Sequence, residues 1–167
     1  MQRLALLAIL VGCGSKEAPP PKPPGPGDWQ CFVLDPADTD PAHQTVTHLR
    51  QRVVAGGIES ESVMFTGKGA GAHRLKLVPV GDHLEDAASG SSITARLLAA
   101  DGSHWMLSFR PPAGSGAMNV AFDEDSTIVD GILTVTSMIV GDPKKTVIRY
   151  VPASCDVVVA ELAKYPS

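Results

Sequence analysis

The chain has 167 residues, of which 44% are hydrophobic, and its formal net charge is −4. This composition supplies the core of one ordinary domain, so it excludes a chain that is disordered throughout. The mildly acidic balance, with no cluster of Lys and Arg, argues against nucleic-acid binding.

A short apolar run at the N-terminus precedes the first of three cysteines. Arg3 supplies a charged start, residues 4–11 are apolar, and the run ends in the motif Leu10-Val11-Gly12-Cys13. Eight apolar residues are too few to cross a bilayer, which takes about 20. The segment resembles a bacterial lipoprotein signal peptide with its lipobox. That resemblance implies cleavage before Cys13, with diacylglycerol on its sulfur and a further acyl chain on its new amine. The alternative is an ordinary buried cysteine.

The residues after Cys13 indicate a destination and a tether. The lipoprotein sorting rule keeps proteins with Asp after the cysteine at the inner membrane, so Gly14 implies the outer membrane, with the domain facing the periplasm. Six of the eight residues 19–26 are proline. Such a tract favours extended polyproline II, and residues 14–27 could span roughly 40 Å.

These features divide the chain into three parts. We expect a signal peptide at residues 1–12, a lipidated cysteine with a proline-rich linker at residues 13–27, and a single periplasmic domain at residues 28–165. The leader is short for its class, which leaves open a start codon further upstream.

The two remaining cysteines lie at opposite ends of the expected domain. An exported protein meets oxidising conditions, and neither cysteine has another Cys or a His at metal-ligand spacing. We therefore predict a disulfide between Cys31 and Cys155, with no metal site.

The first half of the domain predicts alternating strands and helices. Residues 29–34 read as a strand. Asp40 as N-cap, Pro41 after it and Gly56-Gly57 at the end predict a helix, although the β-branched residues 45–47 would also suit a strand. Residues 60–67 and 73–80 alternate as strands on either side of the glycine-rich turn at residues 67–72.

A second helix is predicted over residues 91–102, with Ile93, Leu97 and Ala100 on one face and Gly102 at its end. If residues 92–99 instead form a strand, Asp101-Gly102 becomes a hairpin turn and the domain becomes mostly β. Residues 104–110 alternate as the next strand. The predicted order is βαββαβ, which defines an α+β fold of the ferredoxin-like type.

The segments "HLRQRVVAGGIESESVMFTG", "HRLKLVPVGD" and "WMLSFRP" resemble the first periplasmic region of the SecD protein-export subunit. The matching positions are Leu49, Arg50, Gln51, Arg52, Val53, Gly57, Ile58, Leu107, Ser108, Phe109 and Arg110. This resemblance implies the βαβ fold for the first part of the domain, and it does not by itself imply export activity.

The remainder predicts an antiparallel β extension. Its strand candidates are residues 117–122, 127–140, 145–151 and 155–162, with a turn at residues 141–143. Cys155 would open the last strand, so that the disulfide ties this extension to the first strand.

Few residues suggest chemistry. Asp35, Asp38, Asp40 and His43 lie close together, but they lack the glycine and closing carboxylate of a calcium loop, so turn and cap roles are favoured. Residues 123–125, Asp-Glu-Asp, suit a solvated turn better than a catalytic pair, because neighbours on a strand point to opposite faces. We predict no catalytic residue, no metal and no cofactor.

The sequence thus favours a lipid-anchored cell-envelope protein with a non-catalytic binding or structural role towards another envelope protein. Two alternatives stay open: an accessory factor of protein export, and a periplasmic enzyme whose site is assembled across the fold. A pocket of His and Asp would favour the enzyme, whereas an open sheet edge or an apolar groove would favour the binding protein.

Overall fold

Ten antiparallel strands and one short helix make up the computed structural model, which describes residues 27–38, 45–66, 69–112 and 120–165. The helix, α1, follows the last strand at Cys155–Leu162, and a single 3-10 turn lies at Pro36–Asp38. The strands are β1 (Gln30–Leu34), β2 (Thr45–Val54), β3 (Gly57–Thr66), β4 (Gly69–Val80), β5 (His83–Asp86), β6 (Gly90–Leu97), β7 (His104–Phe109), β8 (Phe122–Val129), β9 (Ile132–Ile139) and β10 (Lys145–Pro152).

The strands form a closed up-and-down barrel. Each strand pairs with its neighbours in the chain, and β1 pairs with β10, where Phe32 lies opposite Pro152 and Leu34 opposite Tyr150. Closure leaves neither β1 nor β10 as a free sheet edge. The predicted ferredoxin-like α+β fold is therefore wrong, and so is the βαβ fold that the resemblance to SecD implied.

The predicted helix over residues 40–55 is wrong, and β2 occupies most of it. A β-bulge interrupts the pairing of β2 with β3 between Val46 and His48. The extra residue places Val46 and Leu49 on the same side of the strand, at a spacing of three that imitates a helical repeat. Residues 39–44, including Asp40 and Pro41, lie outside the described residues.

The predicted helix over residues 91–102 is also wrong, and the strand alternative is confirmed. Ile93, Ala95 and Leu97 alternate along β6 and pair with Phe109, Leu107 and Trp105 of β7. The turn that follows contains Gly102 at φ +78°, a conformation that glycine adopts without strain. Asp101 accepts a hydrogen bond from the Ser103 amide at 2.9 Å within this turn.

Three corrections concern the C-terminal part. In the candidate at residues 117–122 only Phe122 is in a strand, β8, and residues 117–119 lie outside the described residues. The candidate at residues 127–140 is the end of β8 and the whole of β9, separated by a turn at Asp130-Gly131. The last candidate, residues 155–162, is the helix α1, and the Ser154 hydroxyl caps it by accepting a hydrogen bond from the Asp156 amide. Three consecutive valines suggested a strand there, but Val158 packs fully buried against the barrel.

The helix lies on the outside of the barrel and contacts β1, β2 and β3. A disulfide joins Cys31 of β1 to Cys155 at the start of α1, with a Cα–Cα distance of 5.2 Å. The predicted cysteine pairing is thus confirmed, although Cys155 begins a helix instead of a strand. In the described residues, no helix has both the length and the apolar character needed to span a bilayer.

Candidate functional site

The barrel interior is lined by every second residue of each strand, because successive side chains alternate between the two faces. Two clusters of buried apolar side chains line it. The first cluster comes from β3 to β7, and the second from β1, β9 and β10. Their buried members are Ile58, Leu77, Leu84, Ala95, Trp105 and Leu107 in the first, and Phe32, Leu34, Leu133 and Tyr150 in the second.

Polar side chains separate the two clusters on opposite sides of the barrel. On β8, Glu124 and Ser126 share the inward face, opposite Leu107 and Trp105 of β7. On β2, Gln51 shares the inward face with Leu49, which packs on the second cluster. Gln51 and Ser126 are 3% and 1% exposed. Glu124, Ser126 and Gln51 therefore form a polar seam between the two apolar clusters.

Among the described residues for which a pKa shift is resolved, Glu124 is the one carboxylic acid whose pKa is raised. Burial raises the pKa of its carboxyl to about 6. Tyr150 faces the same interior, and its pKa is raised well above its usual range by burial and by the charge of Glu124. The two groups therefore share one poorly hydrated space.

Two interior polar atoms have no hydrogen-bond partner in the described part of the chain. They are Oε1 of Gln51 and Nε1 of Trp105, and both are fully buried. The amide nitrogen of Gln51 does have a partner, the Oε1 atom of Gln30, at 3.4 Å. Unpaired buried atoms of this kind are rare in folded proteins.

The interior is more accessible from one end. This is the end that carries the β3–β4, β5–β6, β7–β8 and β9–β10 connections. Inward-facing residues one step into the barrel from it, such as Leu49, Glu124 and Ile148, keep part of their surface exposed. At the other end, Leu84, Trp105 and Leu133 are buried close to the tips of their strands.

The barrel wall has a break beside its shortest strand. β5 has four residues and pairs with β4 only at Leu77–Val80. Within the described part of the chain, the preceding residues of β4, from Ala70 to His73, pair with β3 alone. A short open sheet edge therefore lies near the start of β4. Residues 69–72, which the sequence assigns to a glycine-rich turn, belong to this strand, while residues 67–68 lie outside the described residues.

The outer face of β2 and β3 carries a ladder of ion pairs. Arg50 donates to Glu61 at 2.7 Å, and Arg52 donates to Glu59 at 2.8 Å. The hydrogen bond from Arg52 holds the pKa of Glu59 below its usual value. Both guanidinium groups lie over the ring of Trp29, at 4.3 and 4.5 Å from its centroid. The arginine and glutamate charges on the outer face of β2 and β3 are therefore paired with one another, and the arginine side chains are held against Trp29.

A groove at the more buried end contains the clearest acid–base group. The imidazole of His83 contacts Glu85 at 3.0 Å and Asp82 at 3.1 Å. Both contacts raise the pKa of the imidazole, and the contact with Glu85 has the larger effect. The groove is lined by Gly56, Pro79, Gly81, Asp82, His83, Leu84, Arg96, Leu97 and Leu98. This described lining supplies a proton carrier but no hydroxyl, thiol or amine nucleophile beside it.

The structure brings together few of the residues singled out from the sequence. Asp35 caps local backbone by accepting from the Ala37 amide, whereas Asp38 accepts from the distant Arg149 amide of β10. Asp40, His43 and Cys13 lie outside the described residues. No group of three His, Cys, Asp or Glu suited to a metal occurs among the described residues.

Residues 123–125 lie within β8 and do not form the predicted turn. Asp123 and Asp125 point outward, where Asp123 accepts from Ser108 and Asp125 pairs with His104, while Glu124 points inward. No motif or spacing in the sequence marks Gln51, Trp105 or Tyr150 as a candidate site residue. Recognising the bulge in β2 would have placed Gln51 on the inward face.

No protein-family model, curated protein or solved structure matches the chain. The matching positions of the SecD resemblance lie on β2, β3 and β7 and on the residue after β7, all within the barrel wall. Because the βαβ fold implied by that resemblance is wrong, the resemblance offers no structural support for a role in protein export.

Proposed function

We propose that this chain is a lipid-anchored cell-envelope protein with a non-catalytic role, in which the barrel binds another envelope protein. The lipobox ending at Cys13 and the proline-rich tract support an anchor and a tether. The described chain begins at Gly27 and leads directly into β1, so the tether would join the barrel at its first strand.

The open edge of β4 is the observation that carries the binding role. Unpaired strand edges accept an extended segment of another chain, because main-chain groups supply the hydrogen bonds. Ala70, Gly71 and Ala72 have small side chains that let a second strand approach closely. The partner we propose is therefore an extended segment of another envelope protein, added as a strand beside β4.

Photo-crosslinking in intact cells tests this role. A photoreactive amino acid at position 70 should give one discrete adduct with another envelope protein. The same amino acid at Thr136 should give none, because β9 is paired on both sides there. Combining the position-70 probe with Ala72→Lys should remove the adduct, since an edge lysine discourages strand addition. Equal labelling at both positions, or an adduct that persists in Ala72→Lys, would count against the proposal.

The anchor is tested separately. Cys13→Ser should move the protein from the membrane fraction to the soluble periplasmic fraction, and mass spectrometry of the unsubstituted protein should find Cys13 acylated at the mature N-terminus. Recovery of unmodified Cys13 behind an intact leader would contradict the lipoprotein assignment.

A further inference from the structure

Two buried interior atoms, Oε1 of Gln51 and Nε1 of Trp105, have no hydrogen-bond partner among the described residues. Gln51 is 3% exposed and Trp105 is 7% exposed, so bulk water does not reach their unpaired atoms. Gln51 lies on β2 and Trp105 on β7, which are five strands apart in a closed barrel of ten. The two side chains therefore extend inward from opposite walls.

The chemistry of these atoms is complementary. Oε1 of Gln51 accepts a hydrogen bond, whereas Nε1 of Trp105 can only donate one. A single hydroxyl group can serve both, by donating to Gln51 and accepting from Trp105, and an amide can do the same through two atoms. A buried water is the simplest competitor, and the experiment must separate it from a ligand.

The rest of the interior limits the charge and shape of such a ligand. Glu124 lies on the inward face, and no Lys or Arg occupies an inward-facing strand position in the described residues. An anion would therefore be desolvated near a carboxylate with no cation to pair with it. Apolar side chains of both clusters surround the seam, and Leu49 and Ile148 keep part of their surface exposed on the side of the accessible end.

We propose that the barrel interior is a second binding site, distinct from the edge of β4, for a small uncharged hydrophobic molecule that carries a hydroxyl or amide group. The polar group lies between Gln51 and Trp105, and the apolar body lies along the two clusters towards the accessible end. This site does not depend on the proposed protein partner, since it faces the inside of the barrel.

Tryptophan fluorescence gives a direct test on the full chain. The protein has two tryptophans, and Trp29 lies on the outer face, so Trp29→Phe leaves Trp105 as the only reporter. Dodecanol should change the Trp105 emission saturably. Dodecanoate at pH 8 has the same alkyl chain but an anionic head, and it should bind at least about 10-fold more weakly.

A matched pair of variants locates the polar contact. Gln51→Leu, made in the Trp29→Phe protein, should weaken dodecanol binding roughly 3- to 10-fold, the effect of losing one hydrogen bond. Thr136→Val, on the outer face of β9, should leave it unchanged. If Gln51→Leu does not fold, the comparison of dodecanol with dodecanoate still decides the matter.

Three results would overturn the proposal. The first is no response of Trp105 to dodecanol up to its solubility limit, which would leave a buried water as the occupant. The second is equal binding of the alcohol and the carboxylate. The third is a Gln51→Leu protein that folds and binds dodecanol as tightly as its parent.

Discussion

Glu124 shows how a single inward-facing side chain couples this barrel to pH. Its pKa lies at about 6 in the folded protein, above the value of 4.5 for an unperturbed glutamate. The folded protein thus binds this proton more tightly than the unfolded chain does. Its stabilising contribution is complete below pH 4.5 and is lost as the pH rises through 6, by about 2 kcal/mol in total.

Glu124→Gln should therefore flatten the pH dependence of stability. We expect the free energy of unfolding of the unsubstituted protein to fall by about 2 kcal/mol more than that of the variant between roughly pH 4.5 and 8. Urea unfolding at several pH values measures this difference. His83, whose pKa is also raised, contributes equally to both proteins and cancels.

Asp130→Asn is the matched control for this experiment. It removes a carboxylate from an exposed turn, and asparagine tolerates the positive φ of that position. Its pH dependence should parallel that of the unsubstituted protein. A Glu124→Gln protein that does the same would show that Glu124 is hydrated, not buried.

At the scale of single elements, two tight turns offer a direct comparison. The β2–β3 hairpin turns at Ala55 and Gly56, with φ of 49° and 79°, and the β8–β9 hairpin turns at Asp130 and Gly131, with φ of 52° and 78°. Both have the backbone of a type I′ turn, which favours Asn or Asp followed by Gly. Alanine is the poor fit among these four residues.

Ala55→Asn should accordingly stabilise the protein. Replacing alanine in a left-handed conformation with asparagine should raise the free energy of unfolding by about 0.5–1 kcal/mol, measured by urea denaturation. The reciprocal change, Asp130→Ala, should lower it by a similar amount. If Ala55→Asn were neutral while Asp130→Ala destabilised, turn propensity would not limit the β2–β3 hairpin.

The hydrophobic pattern of the sequence predicts some of the strands and helices correctly and others wrongly. Strands with uninterrupted alternation, such as β7 with Trp105, Leu107 and Phe109 facing inward, were predicted correctly. β2 was wrongly predicted as a helix, because its bulge gives Val46 and Leu49 a helical spacing. α1 was wrongly predicted as a strand, because a valine run has a weak helix propensity, which the burial of Val158 against the barrel outweighs.

For the molecule as a whole, closure is the property that local patterns do not encode. The pairing of β1 with β10 joins residues more than 100 positions apart, and a hydrophobic pattern alone does not choose between a closed barrel and an open sheet. The predicted pairing of Cys31 with Cys155 was the exception, since it already required the two ends of the domain to meet. The placement of Gln51 opposite Trp105 was likewise hidden, because only closure puts β2 and β7 on opposite walls of one interior.

The disulfide should therefore control how firmly the barrel stays closed. Cys31 and Cys155 are separated by 124 residues, and a cross-link over a loop of this length stabilises a chain by about 4–5 kcal/mol in the chain-entropy model. We expect Cys31→Ala with Cys155→Ala to lose about that much stability. Hydrogen exchange should quicken first in β1 and α1, which the bond joins. Dithiothreitol should reproduce the loss in the unsubstituted protein and leave the double variant unchanged. A loss below about 1 kcal/mol, or uniform exchange across the barrel, would mean that strand pairing alone keeps it closed.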